Sequence, residues 1–248
     1  MTHNFGWIPD LPDQRDFTLK RESAAWIPRK VNLLAGCPPV YDQLTLGSCT
    51  ANAIAAAVGF ERHKQGLGYL IPSRLFIYYN ERALEGTVSS DAGASLRDGM
   101  KTIAAQGICS ETRWPYDIAK FALQPPQSAY DAAVPHKTLS YLSVPQTLAD
   151  MTNCLALGYP FVFGISVYES FESEEANATG VIPMPQKSED LLGGHALLCT
   201  GYDLDAEVLN FRNSWNASWG NEGYGTIPMA YLEDPDLADD FWTVRLEA

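Results

Sequence analysis

The spacing of apolar positions changes about half-way along the chain. Residues 50–60, Thr-Ala-Asn-Ala-Ile-Ala-Ala-Ala-Val-Gly-Phe, are apolar around most of a helical circumference. That pattern predicts a buried helix, and its small side chains let neighbouring elements pack close. Gly47 and Ser48 ahead of it read as a turn, with Ser48 as N-cap and Cys49 at the first turn. Residues 72–84 have helical spacing behind Ser73 as a cap, and residues 91–107 read as a Gly-containing turn, then a helix closed by Gly107. Glu111-Thr-Arg-Trp-Pro-Tyr116 reads as an extended corner.

From Thr138 the texture shifts. Residues 145–157 predict one more helix, with Thr147 near its start and Gly158 ending it. Residues 160–168, the runs around His195 and Leu209, and residues 224–228 and 241–246 read as strands. Residues 172–176 and 184–190 read as polar loop, and no internal repeat is visible. The expected class is α+β. A helical half, 27–137, packs against an antiparallel-sheet half, 138–248, and residues 1–26 form an irregular extension rich in Pro, Asp and aromatics.

Composition narrows the function. The chain has 248 residues, enough for one large core or two modest ones, and 46% apolar content marks it as globular. Seventeen basic residues against 30 acidic ones give −13, which argues against nucleic acid and anionic membrane partners. No apolar stretch approaches membrane-spanning length. The N-terminus lacks the basic and apolar regions of a signal peptide, leaving an intracellular protein or one whose leader lies outside this sequence. The five cysteines, 37, 49, 109, 154 and 199, are scattered without metal-site spacing. A reduced, monomeric protein with no metal and no cofactor is expected, although one bridge among the four cysteines other than Cys49 stays open. His3, His63 and His136 read as solvated.

Cys49 at a helix N-terminus faces the positive end of the helix dipole, which favours thiolate over thiol. A lone cysteine is more often core filler. Three further features change that reading. Gln43 lies six residues upstream, His195 sits in Gly-Gly-His-Ala, and Asn213 opens Asn-Ser-Trp-Asn-Ala-Ser-Trp-Gly. Cys, His and Asn in that order can make a nucleophile, a base and an orienter.

The Gln-x5-Cys spacing, the Gly-His-Ala turn and the Asn-Ser-Trp…Trp-Gly block together resemble the papain-like cysteine peptidases over nearly the whole chain after about residue 27. Two departures are clear. Leu46 stands where that family starts a disulfide next to the nucleophile, and Asn52 where an aromatic is common, which suggests a bacterial-type member. The resemblance implies a helical left domain and a β-barrel-like right domain with the cleft between them. It implies Cys49, His195, Asn213 and Gln43 as the catalytic set, acting on a peptide or protein substrate. Trp215 would cover the His195–Asn213 hydrogen bond. Gly93 and Ala94 would pair with an extended substrate, Leu96 and Ala196 would wall a side-chain pocket, and Gly194 and Trp215 would complete the binding surface.

Two other functions fit parts of this pattern. A Cys-dependent acyltransferase, transglutaminase- or ligase-like, uses the same Cys–His logic with an amine acceptor. A non-enzymatic binding member of the fold would usually have lost the nucleophile. Residues 172–190 could form a loop that makes an exopeptidase, but nothing in them is diagnostic. The first 26 residues are too short and Pro-rich for a helical prodomain, yet carry Phe5, Trp7, Ile8, Leu11 and Phe17. They are expected either to shield Cys49 or to wrap the second domain.

Overall fold

The computed structural model describes residues 4–20, 27–68, 70–137 and 139–246. Helix α1, Cys49–Lys64, is buried nearly all round from Cys49 to Glu61, as its Ala-rich sequence requires. Helices α2 (Arg74–Glu85) and α3 (Leu96–Gln106) pack against it. Ser73 caps α2 by accepting from the Phe76 amide, and α3 ends at Gly107 with φ 82, a backbone angle that suits glycine. Ser48 occupies the N-cap position of α1, but its backbone is not extended and its side chain makes no cap bond; its hydroxyl meets Tyr116 and Asn52 instead. A short α4, Gln127–Ala133, completes the helical part.

The β elements are β1 (Lys30–Asn32), β2 (Leu139–Ser143), β3 (Phe161–Tyr168), β4 (Leu191–Asp203), β5 (Val208–Arg212), β6 (Tyr224–Pro228) and β7 (Ala238–Leu246). They form one antiparallel sheet in the order β2-β7-β3-β4-β5-β6, with β1 paired to the end of β4. The path runs open from β2 to β6, so the sheet is not closed into a barrel. Helix α5, Leu148–Ala156, starts at the Thr147 cap as its sequence predicts. The stretch expected as polar loop after Glu172 instead contains a one-turn helix, α6 (Glu174–Thr179), capped by Ser173 and ended by Gly180. Six residues are too few for periodicity to reveal. The five-residue α7, Met229–Glu233, is equally cryptic.

Alternation along the strands makes the sheet serve two cores. Ala196 and Leu198 of β4, Val162 of β3, and Trp242 and Val244 of β7 join the core around α1. Leu197, Cys199, Phe161, Phe163 and Phe241 join the other core with Phe171, Trp215 and Trp219. His195 shares the parity of Leu197, so the same strand that packs on α1 turns its imidazole to the second core.

Residues 4–20 run as an extended strap over this framework. Trp7 makes a parallel bridge to Ala94 and Thr18 one to Ser143. The strap therefore ends on the edge strand β2, where Ser143 N donates to Phe17 O and Leu19 N to Ser143 O.

Candidate active site

Gln43, Cys49, His195 and Asn213 all lie buried at the junction of the two cores. Cys49 opens α1, and His195 comes from β4, which packs against that helix. Asn213 follows β5 directly. Its Oδ1 lies 2.9 Å from His195 Nε2 and also accepts the Ser214 amide at 2.8 Å. The Trp215 indole stacks on the imidazole with centroids 4.8 Å apart, and Phe171 meets it edge-on at 6.3 Å. This aromatic cover keeps water off the His195–Asn213 contact.

Gln43 is tied into the same knot. Its backbone N–H donates to Ser214 O at 2.8 Å, and its Oε1 accepts from Ser214 Oγ at 2.6 Å. The amide orientation is thereby fixed, with Nε2 turned to Leu46 O at 3.0 Å and to Asn4 O, a strap carbonyl, at 3.1 Å. Ser214, the middle residue of the Asn-Ser-Trp block, joins Gln43 to the Asn213 loop. Its place beside Asn213 was the only available signal.

The strap passes directly over these groups. Phe5 packs edge-on to both His195 and Trp215 at 6.3 Å. Ala94 N donates to Gly6 O at 2.8 Å, Ile8 N to Ala94 O at 3.0 Å, and Trp7 N to Gly194 O at 2.9 Å. A Cβ at Gly164 would lie 1.9 Å from the Trp7 ring, so this glycine is the seat of the indole. Gly93, at φ 76, would bring a Cβ to 2.2 Å from Gly6 O. Among the expected substrate-binding residues, Gly93, Ala94, Gly194 and Trp215 thus meet the strap. Ala196 and Leu96 are buried in the core around α1, Leu96 at the first turn of α3. Beside the strap a cavity of about 670 Å³ remains, lined by Asn4, Phe5, Gly47, Asp91, Glu172, Leu192 and Gly193.

Electrostatics under the strap differ from the helix-dipole expectation. Burial pushes the Cys49 thiol up to about 11, against which hydrogen bonds from the backbone at Ala196 and Gly6 pull only partly. With burial raising it that far, the covered sulfur is a thiol at neutral pH. The remaining cysteines, 37, 109, 154 and 199, are unbridged.

An acidic site that no motif announces anchors the strap. Asp240 Oδ2 accepts both the Trp7 indole N–H and the Asp10 backbone N–H at 2.9 Å. Burial, and then the neighbouring Asp10 carboxylate, push Asp240 up to about 8, and burial raises Asp10 as well. Arg97 of α3 faces this pair. Its amide donates to Asp10 at 3.1 Å, and its guanidinium reaches Asp16 and the Leu11 carbonyl. Two adjacent acids at the start of an apolar strand, Asp239 and Asp240, were the sequence signal; a register shift against β3, with Asp240 at φ 59, turns the second inward.

Known proteins share the sequence and the fold of this chain. The model of the papain family cysteine proteases matches residues 28–236. An uncharacterized peptidase C1-like protein of Acanthamoeba polyphaga mimivirus is 38% identical, the match covering 99% of this chain and 88% of that one. The crystal structure of xylellain, a cysteine protease from Xylella fastidiosa, superposes with a TM-score of 0.92 at 42% identity over 99% of this chain and 97% of that one. Digestive procathepsin L 3 of Tenebrio molitor, at 18% identity and a TM-score of 0.72 over 94% of this chain and 75% of that one, shares the fold. The chain belongs to the papain family of cysteine proteases.

Proposed function

We propose that Cys49 is the nucleophile of a peptidase that works through a covalent acyl-enzyme, and that the strap holds it partly latent. With the strap displaced, water and His195 reach the sulfur, and the helix dipole and an imidazolium partner both favour the thiolate. Cys49 attacks the carbonyl carbon of a peptide bond. The Gln43 Nε2–H and the Cys49 backbone N–H receive the oxyanion, each donor worth about 3 kcal/mol. His195 gives its proton to the leaving amine, then takes one from the water that hydrolyses the thioester. Asn213 fixes the ring through Nε2, so this proton traffic runs through Nδ1. A neutral amide suits that task because it does not trap the imidazolium.

The observation that carries the latency is the Gln43 amide, whose Nε2 is spent on the strap carbonyl of Asn4. The strap also occupies the backbone groups of Ala94 and Gly194 and so stands where an extended peptide substrate would lie. Ala94, Gly93, Leu96, Gly194, Ala196 and Trp215 are then the substrate-binding residues, set between a helical half and a sheet half. An acyltransferase reading keeps the same chemistry with an amine in place of water. Release of a quenched peptide fluorophore without amine incorporation separates the two. Labelling with an epoxide thiol inhibitor should modify Cys49 alone, and Cys49→Ala should abolish hydrolysis with the fold intact. Activity of more than a few per cent in that variant would overturn the assignment.

A further inference from the structure

The loop between Gln43 and Cys49 lacks the covalent tether that its Leu46 position would hold in the resembled enzymes, and its backbone is strained. Leu44 sits at φ 54, a left-handed angle that costs an ordinary side chain about 1–2 kcal/mol. Something must fix the distance between the Gln43 amide and the Cys49 backbone N–H, because two oxyanion donors are useful only when both aim at one point.

A one-way chain of hydrogen bonds spans that gap. Tyr116 Oη donates its single proton to Gln43 O at 2.9 Å. Ser48 Oγ lies 2.5 Å from the same phenol oxygen, so Ser48 is the donor of that pair. Ser48 accepts in turn from Asn52 Nδ2, on Oγ at 3.1 Å and on its carbonyl at 2.9 Å. Asn52 Oδ1 faces Arg74 Nη1 at 3.2 Å, and the same nitrogen donates to Asp42 O at 3.0 Å, just ahead of Gln43. Arg74 lies 3.9 Å from the Tyr116 ring centroid and pairs with Glu111 at 2.8 Å. Each donor in the chain is used in one direction, from Arg74 to the Gln43 carbonyl. Burial pushes the Tyr116 phenol up to about 12, so its proton stays in place through the neutral range.

We propose that Tyr116 is a positioning residue for the oxyanion site, its phenol tying the Gln43 carbonyl to Ser48 and so setting the Gln43 amide against the Cys49 backbone N–H. This inference rests on the peptidase reading above. It also accounts for Asn52, a polar residue in a buried Ala-rich helix: its amide feeds the relay from within α1. Hydrogen bonds here do the tethering that a disulfide does in the resembled enzymes.

The test is a double-mutant cycle in the full-length chain carrying Trp7→Ala, which weakens the strap without touching the loop. Hydrolysis of a quenched peptide is measured and normalised to epoxide-titratable Cys49. Tyr116→Phe should lower kcat about tenfold with KM within about twofold, since a misplaced donor is felt in the transition state. Combined with Gln43→Ala, the same change should cost less than about twofold more, because the group it positions is gone. An equal loss from Tyr116→Phe in both backgrounds would overturn the inference and leave the peptidase reading standing. So would a rise in KM with kcat unchanged. Absence of hydrolysis in the Trp7→Ala parent itself would overturn the peptidase reading, and this inference with it.

Discussion

The indole N–H of Trp7 and the backbone N–H of Asp10 meet on one oxygen of Asp240, each at 2.9 Å. One strap residue buries an aromatic ring in the core around α1, while Phe5, two positions away, lies against the other core. The strap is therefore stitched to both sides of the cleft, and its anchors are separable by mutation.

Removing the first anchor should open the cleft. Trp7→Ala deletes a buried ring and its hydrogen bond, a loss of about 3 kcal/mol or more in a well-packed site. If labelling of Cys49 requires the strap to lift, its rate should rise about a hundredfold. Gly164→Ala should do the same from the opposite side, since its methyl would collide with the ring. Iodoacetamide labelling followed by peptide mapping measures both. Unchanged rates in both variants would mean that the strap does not limit access.

Strap docking should weaken as pH rises. Asp240 sits at about 8 when the strap is docked, above the ordinary carboxylate range, so the docked state holds a proton that the undocked state has released. Docking is strongest below the ordinary carboxylate pKa, loses ground from there towards 8, and gains no further loss from this group above 8. The groups facing the pair are Arg97 of α3, Glu85 of α2, Asp239 of β7, and Asp16 of the strap. Arg97 stays charged throughout. Hydrogen exchange of the Trp7 and Ile8 amides in a Cys49→Ala chain reads docking alone. Protection, corrected for intrinsic exchange, should fall towards pH 8, and Asp240→Asn should flatten that slope.

The large elements, and the gathering of Gln43, Cys49, His195 and Asn213 in one buried place, were legible from sequence for a common reason. Buried α1, the Ser73 and Thr147 caps, Gly107 and the strongly apolar β3 each follow from local rules acting over eight or more residues. Cys49, His195 and Asn213 lie in motifs whose spacing is constrained by chemistry. Short elements such as α6 and β1 escaped because they are held by neighbours rather than by their own pattern. Tyr116, Ser214 and Asp240 escaped for another reason. Each acts on a partner 70 or more residues away in sequence, as Tyr116 does on Gln43, and no local pattern encodes that distance. The thiolate expected at Cys49 was a sound reading of the helix dipole, but sequence does not show how deeply the sulfur is buried.

Glu81 should make the fold itself pH-sensitive. Its carboxyl is fully buried beneath α1, where Oε2 accepts from Thr50 Oγ1 at 2.9 Å, and burial pushes it up to about 8. The folded state thus holds a proton that the unfolded chain releases near 4.5. Stability contributed by this group is full below about 4.5 and drains as pH rises towards 8. Glu81→Gln keeps the shape and removes the titration. Urea midpoints measured from pH 5 to pH 9 should decline less steeply for this variant than for the parent.

The last prediction concerns the sulfur. In the covered chain, burial holds the Cys49 thiol at about 11, so the fraction ionised at neutral pH is small. Three influences favour the thiolate once the strap leaves: water, the α1 dipole and a cationic His195. Labelling rate follows the thiolate fraction, so the pH at which it reaches half its plateau reports the thiol pKa. That midpoint should lie near 11 for the 248-residue chain and fall by several units in a chain beginning near Ala25. The same difference feeds back on docking. A covered state that holds its thiol proton more tightly must dock less well as pH rises past the uncovered pKa, the direction already set by Asp240. Both proteins must be equally folded by circular dichroism for the comparison to count. A midpoint that stays near 11 after truncation would place the desolvation in the body of the protein, and the strap would then be a wrapping and not a restraint.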